Sequence, residues 1–309
     1  MANCLVTGGA GFIGSHLVAA LLARGDRVVV LDNFTTGKVE NLHGLNGQLE
    51  VIEGDICDQD QVSKCIKDVE YVFHQAAFVS VPASIEDPQN CFSVNVNGTI
   101  LMLEAARREQ LKRFVIASSA AVYGDSDELP LREDTTLNPM TPYAVSKLVI
   151  ESYTQMYSKV YNLPVVALRY FNVFGPRQSP ESDYAAAIPL FIRSVLDNQP
   201  PTIFGDGLQT RDFIFIDDVV RANLLAADSP KAPGRIMNVC TGQETKLLDL
   251  MDSLQEITGE KITPTFTEMR AGDIYRSYGD NRLANEMMGF LAEISMKSGL
   301  SKTMDWMRS

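Results

Sequence analysis

The segment CLVTGGAGFIGSHLVAALL, residues 4–22, decides the fold. It begins with a short apolar run typical of a buried strand, continues with a glycine-rich turn, and ends with apolar residues at helical spacing. Gly8, Gly11 and Gly14 would let the backbone approach a phosphate, and the amino end of the following helix offers free N–H groups to it. Asp32 ends the next apolar run, where a carboxylate can bind both ribose hydroxyls of an adenosine and repel a 2′-phosphate. The stretch therefore predicts a dinucleotide site that prefers NAD to NADP.

Outward from this segment, short apolar runs alternate with helical spacing. The runs lie at 4–7, 28–31, 70–73, 113–117 and 165–168, and the helical segments at 12–24, 60–68, 93–109 and 142–161. This alternation predicts an α/β protein with a Rossmann-type, doubly wound parallel sheet.

The pattern changes after Arg169. A helix is expected at 184–198 and a short strand at TIFG, 202–205, and both belong to a smaller α/β lobe. The segment FIFIDD, 213–218, predicts a strand that returns to the large sheet and leads into a helix, whereas residues from about 235 onward complete the small lobe. We therefore predict an NAD-binding domain at 1–172, joined by 213–230, and a C-terminal substrate lobe at 173–309.

Composition limits the possible partners. The 309 residues are 45% hydrophobic and 21% charged, with a net charge of −12, so a broad nucleic-acid or anionic-membrane surface is not expected. The five cysteines form no CxxC pair, which predicts buried, reduced thiols and no metal site. With neither a signal peptide nor a long apolar run, the chain is expected in the cytoplasm, away from membranes.

Tyr143 and Lys147 lie four residues apart on one predicted helix face, where an ammonium can stabilise a phenolate. Their helix follows the strand RFVIA, 113–117, and the loop SSAAVYGD, 118–125. Because the carboxyl ends of strands hold the ligands of a doubly wound sheet, Ser118 and Ser119 lie at the edge that contacts a substrate hydroxyl. Tyr143 is therefore a candidate general base that takes a proton from a hydroxyl while hydride leaves the same carbon.

A set of motifs together resembles one family. VTGGAGFIGSHL, HQAA at 74–77, NVNGT at 95–99, SSAAVYG, TPYAVSK, RYFNVFGPR and GDGLQTRDFIFIDDV are similar to the extended short-chain dehydrogenase/reductases, and more narrowly to UDP-hexose 4-epimerases. The resemblance runs from the first residue to about 290. It implies a nucleotide-sugar substrate, NAD that is regenerated in each turnover, and a homodimer built from the helices near 93–109 and 142–161.

The resemblance also implies residue roles. Ser119, Tyr143 and Lys147 match the catalytic hydroxyl, the base and its lysine partner. The cofactor positions are Gly8, Gly11, Phe12, Ile13, Gly14, Asp32, Asn33, Asp55, Ile56, Gln75, Ala76, Ala77, Asn95, Tyr143, Lys147 and Tyr170. The substrate positions are Ser80, Ser119, Tyr143, Asn172, Phe204, Arg211, Arg270, Asp273 and Ser277. Among these, Asn172 and the two arginines match the pyrophosphate contacts, Phe204 the aromatic beside uracil, and Asp273 an acceptor for the ribose.

Two positions bear on the reaction. Ala121 stands where several epimerases carry Ser or Thr, and where 4,6-dehydratases and UDP-glucuronate decarboxylases carry an acid. Those enzymes are the nearest alternatives, and a non-catalytic NAD-binding scaffold is a more distant one. Ser277 matches a gate that is Tyr in epimerases restricted to glucose and galactose. A serine there predicts activity on UDP-N-acetylglucosamine and UDP-N-acetylgalactosamine as well as on the plain hexose pair.

Overall fold

The computed structural model describes residues 1–180, 186–269 and 274–308. Its strands are β1 Asn3–Thr7, β2 Arg27–Asp32, β3 Gln48–Glu53, β4 Tyr71–His74, β5 Arg113–Ser119, β6 Val165–Tyr170, β7 Asn172–Phe174, β8 Thr202–Phe204, β9 Thr210–Arg211, β10 Phe213–Phe215, β11 Ile236–Val239, β12 Thr245–Lys246, β13 Thr265–Thr267 and β14 Arg276–Ser277. Its α-helices are α1 Phe12–Ala23, α2 Gln59–Cys65, α3 Val81–Glu86, α4 Pro88–Phe92, α5 Thr99–Glu109, α6 Pro142–Tyr161, α7 Ala187–Leu196, α8 Ile216–Asp228, α9 Leu247–Thr258, α10 Arg282–Met288 and α11 Met296–Arg308.

Seven of the described strands form one parallel sheet in the order β11-β6-β5-β4-β1-β2-β3. The predicted α/β, Rossmann-type sheet is therefore confirmed. The order reverses between β1 and β4, and the carboxyl ends of parallel strands at such a point form the crevice where ligands bind. The glycine-rich turn after β1 and the loops after β4, β5 and β6 all open at that edge.

The sheet is buried on both faces. Val6 of β1 packs in the core cluster that contains Leu17 of α1 and Val219 of α8, whereas its neighbour Leu5 packs in the cluster with Met102 of α5 and Ile150 of α6. Successive side chains of a strand point to opposite faces, so one strand serves both cores. Both layers of helices thereby hold β1, and with it the glycine-rich turn, in place.

Several strands differ from the prediction, and three of the differences bear on the large sheet. β3, with sequence QLEVIE, was missed because it lies at an edge of the sheet, is mostly exposed and has no continuous apolar run. β10 pairs with β7 in a separate two-stranded sheet, so the expectation that 213–218 returns a strand to the large sheet is wrong. β11 takes the free edge of β6 instead, so residues from 235 onward do not all belong to the small lobe. Apolar composition marks a buried strand but does not name its partner, and the division into 1–172 with 213–230 and 173–309 stays a prediction.

The helix predicted at 93–109 begins as a π-helical segment, Ser93–Gly98, which joins α4 to α5. Such segments are uncommon and often occur at functional sites. Here the segment carries Asn95, whose amide accepts from the backbone N–H of Phe78 at 2.7 Å and donates to the carbonyl of the same residue at 3.1 Å. Through the side chain of Asn95, the π-helical segment thus ties the helix to the loop that follows β4.

Candidate functional site

The turn after β1 is shaped by its glycines. A Cβ on Gly14 would lie 2.0 Å from the carbonyl oxygen of Gly8, so only glycine lets α1 start this close to β1. Gly8 has φ +66°, and a Cβ there would lie 2.7 Å from the backbone nitrogen of Ala76. The first turn of α1, which begins with Phe12 and Ile13, has no side-chain cap on its N–H groups. The donors and the close backbone approach fit the pyrophosphate of a dinucleotide.

Asp32 faces this turn from the end of β2. Its Oδ2 accepts from the N–H of Ala10 at 2.8 Å, and its Oδ1 accepts from the N–H of Phe34 at 2.9 Å. A Cβ on Gly37 would lie 2.9 Å from both oxygens, so glycine keeps space open over the carboxylate. Each carboxylate oxygen can accept a further hydrogen bond, which fits the hydroxyls of an adenosine ribose.

Asn33 and Asp55 form one cluster beside Asp32. The amide of Asn33 donates to Oδ2 of Asp55 at 2.9 Å, and Oδ1 of Asp55 accepts from the N–H of Cys57 at 2.8 Å. Ile56 is buried, and a Cβ on Gly98 would lie 2.8 Å from its Cδ1. This polar edge beside an apolar surface fits a purine base, and it brings together three of the positions that the resemblance assigned to the cofactor.

At the other end of the crevice, Gln75 and Tyr170 meet a residue that the sequence did not single out. The amide of Gln75 donates to the Tyr170 hydroxyl and to Oδ1 of Asn223, each at 3.2 Å, and the amide of Asn223 donates to Tyr170 at 2.8 Å. Burial raises the pKa of Tyr170 to about 12, so the phenol stays neutral and serves as a hydrogen-bonding group. Asn223 lies on α8, one helical turn after the end of the motif GDGLQTRDFIFIDDV, and the motif itself does not include it.

Ala76 and Ala77 continue the loop after β4. The N–H of Ala76 donates to the Thr7 hydroxyl at 3.3 Å, and that hydroxyl also bonds Nδ1 of the buried His74 at 2.8 Å. Small side chains on Ala76 and Ala77 leave the backbone of this loop close to the glycine-rich turn, where Gly8 already touches it.

Tyr143, Lys147 and Ser119 come together at the end of β5. The Lys147 ammonium, 3% exposed, donates to the carbonyl of Ala117 at 2.8 Å and lies 5.7 Å from the centre of the Tyr143 ring. The side chains of Ser119 and Tyr143 are hydrogen-bonded to each other. The hydroxyl of Ser119 also accepts from the N–H of Ala121 at 3.2 Å, which fixes its direction. The spacing of the sequence motif thus yields one cluster with a phenol, a hydroxyl and an ammonium.

The electrostatics of this cluster differ from the sequence expectation. Desolvation raises the pKa of Tyr143, and the hydrogen bond with Ser119 only partly offsets it. Burial also lowers the pKa of Lys147, to about 8. The sequence predicts that the lysine favours the phenolate; in the protein alone, desolvation is the largest influence on the tyrosine and raises its pKa. A positive charge brought by a bound cofactor is what would favour ionisation of the tyrosine.

Asn95 supports the same helix. Its amide donates to the hydroxyl of Ser146 at 2.9 Å, and that hydroxyl donates to the carbonyl of Tyr143 at 2.7 Å. Asn95 therefore links the loop after β4 to the first turn of α6, rather than pointing to a ligand with both of its amide atoms.

Three of the predicted substrate positions lie close to one another in the structure. The amide of Asn172, at the start of β7, donates to the carbonyl of Asp212 at 3.2 Å, next to Arg211. Ser277 pairs with Arg211 in the β14–β9 ladder and is buried, with 9% exposure, so it is not a surface strand residue. Arg270 and Asp273 lie outside the described residues.

Phe204 and Ser80 lie on two other elements of the structure. Phe204 ends β8, and the amide of Gln209 donates to its carbonyl. Ser80 is the N-cap of α3, and its hydroxyl accepts from the N–H of Ala83 at 3.1 Å. Ser84 of the same helix accepts from the N–H of Tyr143 at 3.2 Å, so Ser80 lies on an element that touches the catalytic helix.

Four residues behind the cluster were not predicted. Glu151, Arg169, Tyr123 and Asn238 form a buried chain of hydrogen bonds that starts at Ser118. The only sequence signal was that Glu151 continues the Tyr143, Lys147 spacing by four more residues.

The remaining expectations concern cysteines, metals and membranes. All five cysteines are free; four are buried, whereas Cys57 is exposed, so the prediction of five buried thiols is wrong for Cys57. Among the residues that the structure describes, no group of three or more His, Cys, Asp and Glu side chains could hold a metal ion. In the same part of the chain, no helix has the length and apolarity needed to cross a membrane.

Taken together, the parallel sheet, the glycine-rich turn and Asp32 define an NAD-dependent enzyme of the Rossmann type. Residues 4–240 match the family described as "NAD dependent epimerase/dehydratase family". A putative UDP-glucose 4-epimerase of Methanocaldococcus jannaschii is 42% identical over 307 residues, which cover 99% of this chain and 98% of that protein.

Solved structures agree with this match. A UDP-N-acetylglucosamine 4-epimerase from Methanobrevibacter ruminantium, in complex with UDP-N-acetylmuramic acid, superposes with a TM-score of 0.95 at 37% identity and covers 99% of this chain and 98% of its own. A UDP-glucuronic acid 4-epimerase from Bacillus cereus, in complex with UDP-glucuronic acid and NAD, superposes with a TM-score of 0.91 at 35% identity and covers 99% of each chain. The chain belongs to the NAD dependent epimerase/dehydratase family, in the extended short-chain dehydrogenase/reductase group that contains the UDP-hexose 4-epimerases. It is an isomerase of that group, and NAD is its cofactor.

Proposed function

We propose that this protein epimerises UDP-hexoses at carbon 4 through a transient 4-keto sugar, and that it accepts the N-acetylated pair as well as glucose and galactose. The observation that carries the proposal is the cluster of Tyr143, Ser119 and Lys147 at the sheet edge, beside a methyl group at Ala121. In the 4,6-dehydratases and UDP-glucuronate decarboxylases, which the sequence also resembles, an acid at the position of Ala121 serves a step after oxidation. Without that acid, the site has the groups for oxidation and reduction only.

Each group has one task in this scheme. Tyr143 takes the proton from the 4-hydroxyl and later returns it, since it is the group whose oxygen faces Ser119. Ser119, held by the N–H of Ala121, orients that hydroxyl. Lys147 stabilises the negative phenolate. When bound, NAD supplies the hydride acceptor and donor for the sugar carbon.

Asn172 and Arg211 hold the other end of the substrate. An arginine and an amide suit a dianionic pyrophosphate. A clamp on the pyrophosphate leaves the sugar free to turn, so that either face can meet the same tyrosine. Arg270, Asp273, Phe204 and Ser80 keep the roles that the resemblance gave them, as proposals.

The test is direct. The purified protein is incubated with UDP-glucose, UDP-N-acetylglucosamine and UDP-glucuronate without added cofactor, and the products are identified by chromatography and mass spectrometry. Formation of the 4-epimers of the first two supports the proposal. Release of carbon dioxide from UDP-glucuronate, or loss of water from any substrate, would favour the decarboxylase or dehydratase alternative. Absence of conversion with NAD bound would favour a non-catalytic scaffold.

Replacement of Arg211 by alanine is expected to weaken UDP binding about 10-fold or more. Loss of one partner of a charge-assisted hydrogen bond costs about 1.5–3 kcal/mol. Isothermal titration calorimetry with UDP measures the effect. The matched control is Arg282→Ala, which removes an exposed arginine paired with Asp280 and should leave the affinity unchanged. Equal affinity for the wild type and Arg211→Ala would move the pyrophosphate site elsewhere.

Ser277→Tyr tests the sugar specificity. A tyrosine ring would fill the space beside Arg211 that an N-acetyl group needs, and overpacking a formed site costs about 1–3 kcal/mol. We expect at least about a 10-fold loss in kcat/KM for UDP-N-acetylglucosamine and little change for UDP-glucose. Ser277→Ala keeps the space and should retain both activities. If Ser277→Tyr loses both activities equally, Ser277 does not gate the sugar.

We further propose a cytoplasmic homodimer built from the region of α5 and α6. In support, Phe92, Val160 and Tyr161 are 49%, 60% and 44% exposed near these helices, and large apolar side chains there need a cover. Sedimentation equilibrium at micromolar concentration distinguishes a dimer from a monomer.

A further inference from the structure

Three consecutive residues at the end of β5 contact three positions of α6. The carbonyl of Ala117 accepts from Lys147, the hydroxyl of Ser118 donates to Oε1 of Glu151 at 2.6 Å, and Ser119 bonds Tyr143. Tyr143, Lys147 and Glu151 follow one another at intervals of four residues and so form one stripe of the helix. Along this stripe, Tyr143 and Lys147 belong to the proposed catalytic cluster. Glu151 is the next residue of the stripe, and it contacts the same strand.

Glu151 is held from a second side. Arg169 of β6 donates from Nε to Oε1 and from Nη2 to Oε2 of Glu151, both at 2.8 Å, and the two residues are 2% and 1% exposed. Arg169 also donates to the hydroxyl of Tyr123 at 2.8 Å, and Tyr123 donates to Oδ1 of Asn238 at 2.7 Å. The carboxylate therefore has fixed donors on both oxygens and cannot turn away from α6.

Stability alone does not account for this pair. Burying two charges costs about as much as their attraction returns, and apolar residues of similar volume often serve a core equally well. A buried ion pair is better explained where its charge or its fixed geometry is needed. Here the nearest group with such a need is Lys147, one helical turn away.

We propose that Glu151, fixed by Arg169, is a positioning residue for the reaction: it sets the register of α6 against β5 and provides the negative charge that keeps Lys147 as an ammonium. The inference rests on the proposed function, in which the ammonium stabilises the phenolate of Tyr143. Glu151 itself touches neither the substrate nor the cofactor in this scheme.

The charges around Lys147 support this role. Burial lowers the pKa of Lys147 to about 8, while Cys91 and Glu151 raise it. The ionisable groups that face Lys147 are Tyr143 and Glu151 on its own helix, Cys91 from α4 and His74 from β4, with Arg169 behind Glu151 on β6. His74 is neutral because burial lowers its pKa to about 3, and burial raises the pKa of the Cys91 thiol. Glu151 is therefore the group in this set that carries a negative charge at neutral pH.

The experiment compares pH profiles of kcat between pH 6 and 10 for the wild type, Glu151→Gln and the double variant Glu151→Leu with Arg169→Met. For Glu151→Gln we expect the basic limb to move to lower pH by about one unit, with kcat at pH 8 reduced about 5-fold and KM for the UDP-sugar within about 3-fold. A neutral lysine no longer supports the phenolate, whereas substrate binding does not depend on it.

The double variant separates positioning from folding. It removes both buried charges, so its melting temperature should be close to that of the wild type even if Glu151→Gln is destabilised. We expect its pH profile to remain shifted. A double variant with the wild-type melting temperature and the wild-type profile would overturn the proposal.

Glu104→Gln is the matched control. Glu104, on α5, accepts from the hydroxyl of Tyr157 on α6 at 2.6 Å but lies outside the set that faces Lys147, so the profile should not move. An equal shift in this control would also overturn the inference. If the wild type itself converts no UDP-sugar, the proposed function has failed and not the role of Glu151.

Discussion

Tyr143→Phe is expected to lower turnover by at least about 100-fold while UDP affinity stays within about 2-fold. General-base catalysis contributes about 10²–10⁴ in rate, and the substitution removes one oxygen and no bulk. The lost atom is the one that bonds Ser119 in the site. Because the proposed pyrophosphate contacts, Asn172 and Arg211, lie on β7 and β9, binding of UDP should not depend on the phenol.

Steady-state rates and calorimetry on the same preparation separate the two effects. Tyr153→Phe is the control: it removes a hydroxyl from the same helix α6 away from Ser119, and its rate should match the wild type. Near-normal turnover in Tyr143→Phe would exclude this tyrosine as the base and leave the NAD-binding fold without its proposed chemistry.

Lys147→Met is expected to abolish most activity and yet to stabilise the NAD-free protein by about 2 kcal/mol at pH 7. Lowering the lysine pKa from 10.5 to about 8 costs the folded state about 3 kcal/mol, and loss of the hydrogen bond to Ala117 offsets about 1 kcal/mol of the gain. Turnover should fall at least about 100-fold, since the phenolate loses its ammonium partner. A residue kept for function at the expense of stability is a common feature of active sites.

The stability difference between the wild type and Lys147→Met should depend on pH. Between pH 8 and 10.5 the unfolded chain binds a proton on this lysine that the folded protein has lost, so wild-type stability rises with pH through that window. The advantage of Lys147→Met is therefore complete below pH 8 and should vanish near pH 10. Urea unfolding of both proteins at pH 7 and pH 10 measures it, with Lys297→Met, an exposed lysine, as the control. If Lys147→Met is less stable than the wild type at pH 7, the buried ammonium does not lower the free energy of unfolding.

Local sequence patterns were enough to predict those features that lie within a single element. The glycine-rich turn, Asp32 and the Tyr143, Lys147 pair each lie within a strand, a turn or one helix, and their geometry follows from backbone periodicity. The structure brings these groups to one crevice because β1, β4, β5 and β6 run parallel in one sheet.

Partners from distant segments could not be found in this way. β10 has the apolar composition of a core strand but pairs with β7, while β11, interrupted by Asn238, occupies the edge of the large sheet. An apolar run reports burial and not the identity of the neighbour, which depends on the edges that the rest of the chain leaves open.

By itself, the sequence determined the NAD-type turn, the α/β alternation and the placement of Tyr143 and Lys147 on one helix face, since each depends on contacts between residues near in the chain. Only the tertiary structure decided the protonation of that pair and its support: burial raises the pKa of Tyr143 and lowers that of Lys147, and Glu151 meets Arg169 across α6 and β6. Desolvation and buried ion pairing depend on everything that surrounds a group in space, which no local spacing records.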